Sequence, residues 1–251
     1  LNLQRFVKQS SLNLFQQGAI TCAYYGDILA DFEPGMFSGV YWQEKGLVTG
    51  TATGRGTTYF IEHQGSKLVL RHYYRGGLIG KFIDDSYVFT SMMNTRAAQE
   101  FRLLMHLQSL NLPAPVPVGF AVRRKGVSYS ADILTERIAE SQDLVGYLVE
   151  KSLTTGQWQD VGATIGQFHQ SGIFHHDLNC HNIMLDKQGK VWLIDFDQGK
   201  VKTAMGSWCH KNLERLLRSF RKERERLSGF QWQESDWQAL MQGYQRAITS
   251  E

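Results

Sequence analysis

The spacing of apolar and polar positions divides this chain in two. The first half reads as a mainly antiparallel sheet with one long helix, and the second as helices around a single hairpin. Residues 47–53, 57–62 and 67–74 are strand candidates, with Gln64-Gly65-Ser66 as the turn before the third. Two further strands, 118–124 and 127–134, are joined by Lys125-Gly126. A short helix opens at Glu33-Pro34 and runs to Trp42. Between the strand groups, residues 95–110 set Ala97, Phe101, Leu104 and Met105 on one helical face. Pro113, Pro115 and Pro117 bar that helix from continuing.

In the second half Asp143 caps a short helix to Glu150. Residues 157–171 form another, with Val161, Ile165, Phe168 and His169 near one face. Gly162 and Gly166 weaken that helix on propensity alone. Residues 208–227 and 234–248 read as two more helices. The boundary between halves falls within 135–142, which predicts an α+β protein with an N-terminal lobe of residues 1–137 and a C-terminal lobe of 138–251. The chain opens on Leu, which suggests a trimmed start or an unusual start codon, and residues 1–18 carry little weight.

The hairpin carries the chemistry. His175-His176-Asp177 is followed by Asn182, an apolar run 183–185, the turn Lys187-Gln188-Gly189, an apolar run 191–194, and Asp195-Phe196-Asp197. This order gathers a proton acceptor, Asp177, and two oxygen ligands for magnesium, Asn182 and Asp195, as phosphotransferases of the protein-kinase type do. Magnesium favours such hard oxygen donors completed by substrate phosphates. Taken singly, an Asp or Asn before a strand reads as a turn former or cap, and His175 as a core histidine; the ordered set points to phosphoryl transfer.

ATP then belongs to the first half. Gly54-Arg55-Gly56 lies between two strands, where Gly54 and Gly56 serve either a phosphate clamp or a plain hairpin turn. Arg71 occupies the place of the strand lysine that reaches the phosphates, and a guanidinium binds phosphate bidentately. Glu100, on the long helix, is its candidate partner or else a solvated helix carboxylate. Backbone groups around Glu136 stand where an adenine would be read.

These residues resemble those of the bacterial lipopolysaccharide core kinases, within the protein-kinase-like superfamily, and most closely those acting on 3-deoxy-D-manno-octulosonic acid (Kdo). The likeness extends over residues 20–245. Beyond the catalytic segment it rests on Arg55-Gly56-Thr57-Thr58-Tyr59-Phe60, on Leu70-Arg71-His72-Tyr73-Tyr74-Arg75-Gly76-Gly77-Leu78 and on Ala131-Asp132-Ile133-Leu134-Thr135-Glu136. The resemblance implies a two-lobed protein-kinase-like fold and ATP- and Mg2+-dependent phosphorylation of the 4-hydroxyl of Kdo on a lipid A precursor. It places that reaction in the cytoplasm, at the inner face of the inner membrane of a Gram-negative bacterium. It makes Asp177 the catalytic base, with Asn182 and Asp195 as metal ligands. His176 and Asp197 depart from the protein-kinase pattern and suit a constitutive small-molecule kinase; Asp197 reads as a metal or substrate contact or as a loop carboxylate.

Charge and composition bear on the acceptor. A Kdo–lipid acceptor carries a carboxylate, phosphates and acyl chains. Arg75 and Lys81 flank Gly76-Gly77 and suit such an anion, or form a solvated tip. Residues 211–226 hold seven Lys or Arg around an apolar stripe of Leu213, Leu216, Leu217 and Phe220. That pattern fits an anionic membrane surface or a helix packed on a core. The net charge is only +3 and no nucleic-acid motif occurs, so neither nucleic acid nor a protein partner is expected. Cys22, Cys180 and Cys209 are scattered, which speaks against a disulfide framework or a zinc site and for a reducing compartment. There is no apolar run of transmembrane length and no signal-peptide pattern. A heptose or aminoglycoside-like acceptor, or an inactive binding protein on the same fold, are the competing expectations; the intact Asp177, Asn182 and Asp195 oppose the last.

Overall fold

The computed structural model describes residues 12–53, 56–74 and 85–249. The chain forms two compact units. The first comprises residues 1–105 and 116–137, and the second 106–115 and 138–251. The segment 106–115, which the chain order alone leaves in the first half, thus groups with the second.

The first unit is built on an antiparallel sheet. Its strands are β1 (Leu12–Gln17), β2 (Ile20–Tyr25), β3 (Val48–Thr53), β4 (Thr57–His63), β5 (Ser66–His72), β6 (Tyr87–Val88), β7 (Pro117–Lys125) and β8 (Ser128–Glu136). The order across the sheet is β1-β2-β7-β8-β5-β4-β3, with β6 pairing β8. Hairpin β1–β2 was not foreseen: β1 is mostly exposed, so it lacks the apolar alternation that marks a half-buried strand. A 3₁₀ turn (Pro34–Phe37) and helix α1 (Gly39–Glu44) supply Met36, Phe37 and Trp42 to a core shared with Cys22, Leu68 and Leu134. The Trp42 indole N–H donates to the Met36 carbonyl at 2.7 Å, which keeps this buried ring satisfied. Helix α2 (Arg96–Ser109) buries Ala97, Phe101 and Leu104, and Phe101 packs 5.3 Å from Phe120 of β7.

The second unit contains β9 (Ser141–Asp143), α3 (Leu144–Glu150), α4 (Thr155–Gln170), β10 (Ile173–Phe174), β11 (Ile183–Asp186), β12 (Val191–Leu193), β13 (Lys200–Val201), α5 (Ser207–Arg226) and α6 (Glu234–Thr249). Asp143 caps α3 by accepting from the amides of Val145 and Gly146. The glycines that weaken α4 on propensity have a packing cause. A Cβ on Gly162 would stand 1.8 Å from the Leu240 carbonyl oxygen, and one on Gly243 1.9 Å from that of Gln159. Helices α4 and α6 therefore touch backbone to backbone, which only glycine permits.

That crossing buries His169. Its Nδ1 lies 3.0 Å from the Tyr244 hydroxyl, and burial lowers its pKa from 6.5 to about 4. His175 is likewise depressed by burial, whereas His72 is raised, because the Asp132 carboxylate more than offsets its burial. A group depressed on folding contributes stability above its unfolded pKa and loses it as pH falls. His72 behaves in the opposite sense: its contribution is fully present below its unfolded pKa and is lost as pH rises above about 6.5. Between about pH 6.5 and 5 the histidine-linked slope therefore belongs to His169 and His175. Unfolding free energy is expected to fall in that window by up to about 1.4 kcal/mol per pH unit per histidine. Urea titrations of the protein and of His169→Gln check this: a slope unchanged by the substitution would refute the assignment to His169.

Candidate functional site

The motif residues of the second unit lie on the loop after β10 and on the hairpin β11–β12. His175 is buried and satisfied at both nitrogens. Its Nε2–H donates to the Ile194 carbonyl at 2.9 Å, and its Nδ1 accepts from the Asp177 amide at 3.2 Å. A carbonyl only accepts, so the ring proton sits on Nε2. The neutral imidazole is a strut between the start of the loop and the residue before Asp195. Its ring packs 4.9 Å from Phe196, which stacks on Phe168 at 5.6 Å. The central residue of Asp195-Phe196-Asp197 is thus a fully buried anchor for its two carboxylate neighbours.

The carbonyl of Asp177 accepts from the side-chain amides of Asn182, at 2.9 Å, and Asn179, at 3.0 Å. That contact turns the Asn182 NH₂ inward and leaves its Oδ1 as a hard oxygen donor. The Asn182 carbonyl in turn accepts from the Ile194 amide at 3.0 Å, so Asn182 is tied to both Asp177 and the strand leading into Asp195. Asp195 has a left-handed backbone, φ +62°. Such a conformation in a non-glycine residue costs on the order of 1 kcal/mol and persists where surrounding contacts over-determine it. At the hairpin tip, Asp186 accepts from the amides of Gln188 and Lys190 and from the Trp192 indole, at 2.9–3.0 Å. This side chain fastens the turn predicted at 187–189.

Sequence reasoning missed the support for this loop. Helix α5 presents Asn212, Arg215, Ser219 and Glu223 in spacings of three, four and four, which is one helical stripe. Asn212 donates to the His175 carbonyl at 2.8 Å. Arg215 places Nε and Nη2 on Oδ1 of Asp177 at 2.8 and 2.7 Å. Ser219 Oγ accepts from the Cys180 amide at 3.0 Å, and Glu223 lies 3.3 Å from His181 Nε2. Arg226 and His181 hold the Glu223 carboxyl below its usual range against the opposing effect of burial. The stripe was visible as polar positions three and four apart within a helix read for its cations and leucines. Adjoining this stripe, Leu213, Leu216 and Phe220 are buried. They pack in the unit core, so of the two readings of that apolar stripe the packed helix is the one observed.

In the first unit, Arg71 on β5 and Glu100 on α2 form an ion pair. Arg71 Nη2 stands 2.6 Å from both carboxylate oxygens of Glu100, and the Tyr73 hydroxyl donates to Oε2 at 2.6 Å. The Glu100 side chain is 3% exposed, so it is not a solvated helix carboxylate. The Arg71 guanidinium also lies 5.0 Å from the centre of the Tyr73 ring. A buried carboxylate with these donors fixes the direction of the arginine.

The remaining candidates are placed less tightly. Gly54, Arg75 and Lys81 lie outside the described residues. A Cβ on Gly56 would stand 1.8 Å from the Tyr74 ring, so this glycine already makes room for an aromatic side chain. The Glu136 amide donates to the Val116 carbonyl and the Arg137 amide to that of Lys67, at 2.9 and 2.8 Å. Neither donor is open to a base, which narrows the adenine-reading expectation at Glu136 to carbonyl groups. His176 is exposed beside Asp177, and Asp197 is half-buried two residues after Asp195. Among the described residues no cluster of three or more His, Cys, Asp or Glu forms a metal cage, and no helix is long and apolar enough to cross a membrane.

The chain is similar to known proteins over most of its length. The model of the lipopolysaccharide kinase (Kdo/WaaP) family matches residues 40–244. A 3-deoxy-D-manno-octulosonic acid kinase of Vibrio parahaemolyticus serotype O3:K6 is 44% identical over 214 residues, covering 85% of this chain and 89% of that protein. One from Photobacterium damsela subsp. piscicida is 45% identical over 219 residues, covering 86% and 90%. A solved structure described as WaaP in complex with acyl carrier protein superposes with a TM-score of 0.57 at 16% identity, over 93% of this chain and 89% of that one. At that identity the likeness shows a shared kinase-like α+β fold.

Proposed function

The chain belongs to the lipopolysaccharide kinase (Kdo/WaaP) family, and from that premise we propose that it phosphorylates the 4-hydroxyl of Kdo on a lipid A precursor. It is a kinase, and its family implies ATP as the phosphoryl donor. Similarity to the Kdo kinases over most of their length supports the acceptor. The reaction is supported above all by one observation: Asp177 is held with Oδ1 on Arg215 and its carbonyl on Asn182.

Arg215 occupies Oδ1, so Oδ2 of Asp177 is the oxygen that takes the proton of the acceptor hydroxyl. The freed sugar oxygen forms a bond to the γ-phosphorus as the bond from phosphorus to the β,γ-bridging oxygen breaks, and ADP leaves. Asn182 Oδ1 and the Asp195 carboxylate are hard oxygen donors and would hold a divalent cation, Mg2+ by their chemistry. When bound, that ion neutralises charge on the phosphates. Arg71, aimed by Glu100 and Tyr73, is the phosphate-positioning cation of the first unit. His176 and Asp197, next to the reacting loop in sequence, are the proposed acceptor contacts. Positioning and electrostatics, rather than covalent catalysis, carry the rate. A lipid acceptor of this kind supports a peripheral location at the cytoplasmic face of the inner membrane.

Purified protein incubated with labelled ATP and a Kdo–lipid A precursor is expected to transfer label to the Kdo, and excess chelator is expected to abolish the transfer until Mg2+ is restored. Label on a heptose-bearing acceptor but not on Kdo would overturn the acceptor assignment. Transfer that persists in chelator would overturn the metal assignment.

A further inference from the structure

Helix α5 holds more cations than the unit neutralises. Arg215 is spent on Asp177, Arg221 and Arg224 on Glu234, and Arg226 on Glu223. Lys211, Arg218 and Lys222 are exposed and form no ion pair among the described residues. Successive helical residues turn by about 100°, so positions 211, 215, 218 and 222 fall within about 60° of one another. The three uncompensated cations therefore share one face with the arginine that grips Asp177. Glu214, at the edge of that face, is turned to His210 at 3.5 Å, and Glu225 lies at its far end.

We propose that Lys211, Arg218 and Lys222 form a docking track for the phosphates of the lipid acceptor, leading to Asp177. This rests on the acceptor named above and adds how its non-reacting part is recognised. At about 1.5 Å per residue the track runs about 16 Å, longer than a triphosphate group and suited to anionic groups carried well apart on one molecule. The chemistry of the face is electrostatic: Leu213, Leu216 and Phe220 are buried, the partly buried Leu217 lies about 100° away around the helix, and the partly buried Trp208 packs on His169 and Phe174. It lacks the exposed apolar side chains with which an interfacial helix enters a bilayer. That favours the phosphates of the acceptor over the bulk membrane surface as the occupant. Arg215, at the same angle on the helix, links the track to the reacting carboxylate.

The test uses the triple variant Lys211→Gln/Arg218→Gln/Lys222→Gln in neutral detergent micelles. Two Kdo-bearing acceptors are compared, one with its lipid A phosphates and one from which they have been removed. The variant is expected to raise KM for the phosphorylated acceptor at least ten-fold, with kcat and KM for ATP within two-fold of the parent. On the dephosphorylated acceptor, variant and parent are expected to match, and Lys211→Arg/Lys222→Arg is expected to behave as the parent on both. An equal loss on both acceptors, or no loss on either, would overturn the track. So would a loss seen only when phosphatidylglycerol is added to the micelles, which would make the face a membrane contact. Parent protein that phosphorylates neither acceptor would instead sink the acceptor assignment itself.

Discussion

Replacing Asp177 by Asn is expected to lower kcat by about 10²–10⁴-fold, the usual contribution of a positioned general base. The substitution suits the site. The Asn side-chain oxygen can still accept from Arg215, and the backbone carbonyl that orders Asn179 and Asn182 is unchanged. Only the oxygen that takes the proton is lost, replaced by an NH₂ that cannot accept one. The thermal midpoint and the affinity for ATP should therefore stay close to those of the parent. Single-turnover transfer and a nucleotide-binding titration on the same preparation separate these effects. Retention of more than a tenth of the parental kcat would remove Asp177 from the role of base.

The second large effect concerns Arg71. Its removal takes the Arg71 guanidinium away from the buried Glu100 carboxylate, and breaking a buried pair from one side costs about 3–5 kcal/mol. Arg71→Met is therefore expected to lower the stability of the protein by that order. It is also expected to lower kcat/KM for ATP more than a hundred-fold. Adding Glu100→Gln removes the buried negative charge that Arg71 faced, so the double variant should regain part of the stability and none of the turnover. Urea denaturation and initial rates on the two single variants and the double variant complete the cycle. Recovery of turnover along with stability would reduce the pair to a structural ion pair.

How far such groups could be read from the chain depends on the distance to their partners. Asp177, Asn182 and Asp195 were legible because they sit within one loop and hairpin, where spacing and strand pattern constrain each other. Asp143 was legible for the same reason: the amides it caps are two and three residues away. The pairing of Arg71 with Glu100 was open to inference through the order of strand and helix, although 29 residues separate them. Arg215 was not. Its partner lies 38 residues earlier, and it stands in a run of cations whose other members turn to solvent, to Glu234 or to Glu223. Gly162 looked like a flaw in its helix until the Leu240 carbonyl it admits was brought beside it. Hairpin β1–β2 was hidden by its exposure: β1 has little apolar pattern, and β2 finds its other neighbour in β7, about a hundred residues away.

The stripe of α5 also sets a timetable. The loop bearing Asp177 leaves the ribosome before the helix that fastens it, because Asn212, Arg215, Ser219 and Glu223 all follow in the chain. Chains begin to fold from the N-terminus during synthesis, so a nascent kinase carries its base unlatched until α5 is released. Catalytic competence is then among the last properties the growing polypeptide acquires, and unfinished copies are poorly equipped to consume ATP.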